Sequence, residues 1–172
     1  MNEKLIFAEI PDKINEEWRN GSIIGGMSGL FWRTIKIANT FKVTGDLLIE
    51  HMLGNLDDID ELIYPALFNY RQAIELYLKS FLTNPPKIHN IKELISKFNT
   101  EHSLYKYVSL PKEIISICLE FDENDSRSTT FRYEDKDFRE NVNLKGEFWI
   151  DYNVLKYKMD LIQQFFLDLK QP

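Results

Sequence analysis

Between Leu67 and Leu82 the apolar residues recur at helical spacing, and two charges stand among them. At about 100° per residue, Leu67, Ile74, Leu78, Phe81 and Leu82 fall on one stripe. Arg71 falls between Leu78 and Leu82 on that stripe, and Glu75 lies beside it one turn later. A surface helix keeps such charges on its other face. A buried ion costs several kcal/mol unless it is paired and hydrogen-bonded. Arg71 and Glu75 are therefore expected to find further partners elsewhere in the chain.

The same periodicity predicts helices along most of the sequence. Residues 33–53 read as a first long helix, with Ile35, Ala38, Val43, Leu47 and Met52 on its apolar face and Gly45 as a weak spot. Gly54-Asn55 is a stop signal, and Asp57-Asp58 is placed to cap the next helix, over 58–82. Pro65 kinks that segment or sits in its first turn, and Asn84-Pro85-Pro86 ends it. A third helix starts near His89-Asn90, with Asn90 as N-cap, Glu93 as in a capping box, and Ile91, Leu94, Ile95 and Phe98 facing inward. A fourth runs from about Pro111 to Phe121, with Ser109 or Leu110 at its start. The last covers about 152–169, with Val154, Tyr157, Leu161, Ile162, Phe165 and Leu169 as its stripe. Residues 1–32, broken by four glycines, read as an irregular arm packed through Trp18 and Trp32. Thr129 to Tyr133 and Glu147 to Ile150 have β character, so 122–150 is expected to hold a small β-hairpin or a long loop. The chain thus reads as a single mainly α domain over 1–172, a four- to five-helix up-and-down bundle at 33–170 with an insertion before the last helix.

Composition narrows the function classes. A net charge of −6 speaks against a general nucleic-acid binder, which carries excess Lys and Arg. The one cysteine, Cys118, lies in an apolar run and reads as a buried hydrophobe. No run approaches the length of a membrane span. Met1 to Lys4 leads into a short apolar run broken by Glu9 and Pro11, unlike a secretory signal, so a cytoplasmic protein is expected. The histidines His51, His89 and His102 have no metal-ligand spacing, and no cofactor is implied. Gly25-Gly26-Met27-Ser28-Gly29 matches no phosphate-binding loop and reads as a turn.

A candidate polar site remains: Arg71, Glu75, His89, Arg127 and Arg132. Arg132 sits between Phe131 and Tyr133, which favours its packing against the bundle near Glu75, His89 or the acidic turn Asp122-Glu123-Asn124-Asp125. That turn reads otherwise as a solvated helix end. His89 either closes the loop after Pro85-Pro86 or serves as a working imidazole beside Arg71 and Glu75.

The run Tyr70 to Lys79, followed by His89-Asn90-Ile91-Lys92-Glu93-Leu94, resembles the HEPN superfamily. Ser128 to Tyr133 is similar to the "F-R-Y-P" element of some HEPN-like proteins, with Glu134 in place of Pro. The resemblance covers roughly 35–170. It implies a four- or five-helix bundle that often dimerises, and many such proteins are metal-independent endoribonucleases in toxin–antitoxin, abortive-infection and CRISPR systems. Others are non-catalytic partners or bind RNA or nucleotides. The ribonuclease branch carries Arg-x4–6-His. The arginines here are 19, 33, 71, 127, 132 and 139, and none has a histidine five to seven positions later. That departure weighs against ribonuclease activity.

Three functions follow from these observations. The first is a non-catalytic HEPN-like module of a prokaryotic defence or stress system, a homodimer binding RNA, a nucleotide or an antitoxin-like partner protein. The second is a divergent endoribonuclease that assembles Arg71, His89 and Arg132 in space. The third is a structural role, in which Arg71, Glu75 and Arg132 fix helix register and anchor 122–150.

Overall fold

The computed structural model describes residues 34–55, 62–101, 109–129, 131 and 149–169, and the backbone of 102–105. The arm 1–32, the Asp57-Asp58 cap, Arg132 and the loop 134–145 lie outside these residues. Among the described residues there are five helices, α1 (Thr34–Gly54), α2 (Ile63–Ser80), α3 (Ile91–Tyr105), α4 (Lys112–Asn124) and α5 (Tyr152–Asp168). None of the described residues between α4 and α5 is in a strand, and most of the expected hairpin falls outside them. No described helix is long and apolar enough to cross a membrane.

Local chemistry starts and stops these helices where it can. Asn90 Oδ1 accepts the backbone N–H of Glu93 at 2.7 Å, which caps α3. Asp151 Oδ1 accepts from the N–H groups of Asn153 and Val154 at 2.9 and 3.1 Å, which caps α5. Pro65 lies in the first turn of α2, where its missing N–H removes no bond. The cap position of α4 is Pro111 itself, not Ser109 or Leu110, and the helix runs on to Asn124. Leu110 N–H instead donates to Asn99 Oδ1 at 3.1 Å, tying the turn back to α3.

The core sits around α2. Leu67, Ile74, Leu78, Phe81 and Leu82 are all buried, as are Ile91, Leu94, Ile95 and Phe98 of α3. Phe166 of α5 stacks on Tyr77 of α2 at 5.3 Å and meets Phe81 and Phe98 at 5.7 and 6.0 Å, joining α2, α3 and α5. Each such ring contributes about 1.5–3 kcal/mol through burial.

Two faces differ from the periodicity reading. On α1 the buried positions are Ala38, Lys42, Gly45, Ile49 and Met52, whereas Val43 and Leu47 are 48% and 61% exposed. On α5 they are Leu155, Met159, Ile162 and Phe166, and Val154 and Tyr157 are exposed. Both helices carry apolar residues on more than one face, so spacing alone did not choose the inner one. Polar pairing and close approach chose it on α1. Lys42 bonds Asp46 at 2.7 Å and also Asp160 of α5. Tyr70 of α2 donates its hydroxyl to Asp46 at 2.9 Å. Its ring lies so close to Gly45 that a Cβ there would sit 2.5 Å from Cε1. Gly45 is a packing position, not a weak spot. One helical turn from Lys42, Asn39 Oδ1 accepts from Tyr77 Oη at 2.5 Å and Gln163 Nε2 at 3.1 Å. These contacts run in opposite sequence directions, so α1 is antiparallel to both α2 and α5.

Candidate functional site

Arg71, Glu75 and Lys79 follow one another at single-turn intervals on α2. Arg71 is completely buried and Glu75 nearly so. The guanidinium donates in three directions. Nε bonds the Asp125 carbonyl at 2.8 Å, Nη1 bonds Glu75 Oε2 at 3.2 Å, and Nη2 bonds the His89 carbonyl at 2.6 Å. The Asp125 carboxylate lies 3.4 Å from Nε and is itself fully buried. A planar fork of donors suits this task, which a single ammonium could not perform. Asp125 follows the last residue of α4, so the cation also lies where that helix's carbonyls point and where its dipole favours positive charge.

Arg71 thereby holds together α2, the loop before α3 and the end of α4. Neighbouring side chains complete the joint. Asp122 Oδ1 accepts the Ile91 N–H at 2.9 Å, which satisfies the start of α3 from the end of α4. Asp125 Oδ1 accepts the Thr129 N–H at 2.8 Å and closes the turn 125–129. Ser128, at φ 59°, takes the left-handed conformation there, and its hydroxyl accepts from Gln72 Nε2 at 2.8 Å. The acidic turn is thus only partly a solvated helix end, with Glu123 exposed and the two aspartates turned inward. Asp122 and Asp125 are buried because each has a backbone or guanidinium donor to satisfy it.

Glu75 is the electrostatic centre of the site. Oε1 accepts from Lys79 Nζ at 2.8 Å, while Oε2 takes the Arg71 bond. His89 Nδ1 lies 3.0 and 3.2 Å from the two oxygens. The His89 side chain is 62% exposed, against 4% for Glu75. His89 is therefore held at two points. Its carbonyl closes the loop onto Arg71, and its ring sits beside the Arg71–Glu75 pair.

Of the five candidate residues, the structure brings Arg71, Glu75 and His89 into contact. Arg127 is exposed on the turn that Arg71 clasps. Arg132 lies outside the described residues. Sequence reasoning missed Asp125, Lys79 and Gln72 as partners. The signals were weak but present: Lys79 is one turn beyond Glu75, and a buried arginine needs more acceptors than one carboxylate supplies.

Burial holds three further groups in their protonated forms. Burial pushes the Cys118 thiol up to about 12, so it is not a nucleophile at neutral pH. Burial also raises the Tyr70 phenol well above its usual range, with Asp46 adding to the shift, and burial raises Tyr77. No cluster among the described residues has the ligands to hold a metal ion.

No curated protein and no solved structure matches the chain. A family model described as the HEPN domain matches residues 55–147, more than half of the 172. That span contains α2, α3, α4 and the whole Arg71–Glu75–His89–Asp125 joint. The chain belongs to the HEPN domain family.

Proposed function

We propose that this protein is a non-catalytic HEPN module of a prokaryotic defence or stress system of the toxin–antitoxin kind. It acts in the cytoplasm, as a homodimer, by binding RNA or a nucleotide at His89. An antitoxin-like partner protein is the other candidate occupant. The observation that carries the reading is the fate of Arg71. All three of its bonding directions end on the protein itself, and none of its surface is open. A guanidinium so engaged is not available to stabilise charge on a reacting phosphate. What reaches solvent is the imidazole of His89, fixed from beneath by Glu75.

That imidazole also favours a second reading, a divergent metal-independent endoribonuclease in which His89 handles the proton. A carboxylate-backed histidine is a competent general base. One experiment separates the two. A single-turnover RNA cleavage assay without metal compares the wild type with His89→Ala and Arg132→Ala. The binding-module reading expects no cleavage by any of them, with RNA binding by the wild type that His89→Ala weakens. Cleavage by the wild type, lost in His89→Ala, would establish the ribonuclease instead.

A further inference from the structure

Glu75 sets more than the position of His89. Nδ1 of the ring lies within hydrogen-bond distance of both Glu75 oxygens, at 3.0 and 3.2 Å. A carboxylate is an acceptor only, so the proton between them belongs to the ring. A neutral imidazole carries one N–H, and the bond made by one nitrogen decides the state of the other. With the proton on Nδ1, Nε2 keeps its lone pair. Lys79 and Arg71 hold the carboxylate in place, at 2.8 and 3.2 Å, and Arg71 also grips the His89 carbonyl at 2.6 Å. Both the backbone and the ring of His89 are therefore fixed from α2, while most of the side chain faces solvent.

We infer that Glu75 is a positioning residue that locks the neutral His89 ring in the Nδ1–H tautomer, so that the neutral ring presents the Nε2 lone pair, a hydrogen-bond acceptor, to its ligand. The ligand clause rests on the proposed reading of His89 as the contact residue; the tautomer does not. The group that complements a lone pair is a hydroxyl or an N–H. An ionised phosphate or carboxylate oxygen offers no proton and is disfavoured at that atom. The contact made by His89 is thus with the proton-bearing part of a ligand, such as a sugar hydroxyl or a base amine, and not with its charged oxygens.

Nitrogen-15 NMR of the full chain, at a pH where the ring is neutral, tests the tautomer directly. The expected spectrum has a protonated Nδ1 and an unprotonated Nε2. Free histidine in water prefers the opposite arrangement, and finding that arrangement on His89 would overturn the inference. Glu75→Gln offers both a donor and an acceptor, so in a folded variant the preference should relax toward that of free histidine. The wild-type spectrum decides the tautomer even where that variant fails to fold. The ligand clause is tested with a short RNA oligonucleotide and two variants. His89→Gln keeps an acceptor and should retain most of the binding. His89→Lys offers only donors and should weaken it by roughly tenfold, the worth of one hydrogen bond. Tighter binding by His89→Lys would show that the contact is anionic and overturn the clause. Absence of RNA binding by the wild type would overturn both the clause and the RNA reading, while leaving the tautomer to the spectrum.

Discussion

Replacing Arg71 by alanine should cost the fold more than any other single truncation at the joint. The variant removes the donors that satisfy the carbonyls of His89 and Asp125 and one oxygen of Glu75. Breaking a buried ion pair from one side costs about 3–5 kcal/mol. The structure sets where in that range the value falls. Glu75 keeps Lys79 and His89, the His89 loop can rehydrate, and the Asp125 carbonyl still accepts weakly from Ser128 N–H at 3.3 Å. The Asp125 carboxylate, by contrast, is completely buried and loses the guanidinium 3.4 Å away. These terms place the loss near the middle, about 4 kcal/mol. For a chain of this size that corresponds to a fall in Tm of about 8–16 °C. Thermal and urea denaturation followed by far-UV circular dichroism would measure it. Arg71→Lys is the sharper control, because it keeps the charge but cannot span the three acceptors; it should recover less than half of the loss. A Tm for Arg71→Ala within about 2 °C of wild type, with RNA binding gone, would refute the argument. Arg71 would then be a ligand group and its burial would have been misread.

Gly45→Ala should destabilise by about 1–3 kcal/mol despite alanine's better helix propensity. The new Cβ would fall 2.5 Å from the Tyr70 ring, which Asp46 holds through its hydroxyl; a urea midpoint at or above wild type would contradict this. Asn90→Ala removes the cap of α3 and should cost about 1 kcal/mol, seen as a Tm lower by about 2–4 °C. Cys118 should resist thiol reagents in the native protein at pH 8 and react at once in denaturant, because burial keeps it protonated. Stability should also fall in alkali. The Cys118, Tyr70 and Tyr77 values are all raised by folding, so the unfolded chain loses these protons first. Their contribution is complete below about pH 9 and is lost as the pH climbs toward 12, which urea melts at pH 8 and pH 10.5 would reveal.

The sequence by itself determined the helices and the anomaly at the centre of the fold. Helical spacing, the Asn90 cap and the Pro85-Pro86 stop all act over a few residues, so local chemistry settles them. The inward placement of Arg71 and Glu75 was legible for the same reason, since the stripe they interrupt is otherwise wholly apolar. The resemblance carried by Tyr70 to Lys79 and His89 to Leu94 likewise lies within the matched span. Only the tertiary structure decided which faces of α1 and α5 turn inward. Both helices had apolar residues to spare, and on α1 the choice fell to a lysine and a glycine: Lys42 because Asp46 and Asp160 converge on it, Gly45 because Tyr70 needs the space. It also decided the partners of Arg71. Asp125 stands 54 residues away, and no periodicity relates two groups that meet only when α4 packs its end against α2. A buried charge announces in the sequence that it must be satisfied; which groups satisfy it is fixed only when distant segments close around it.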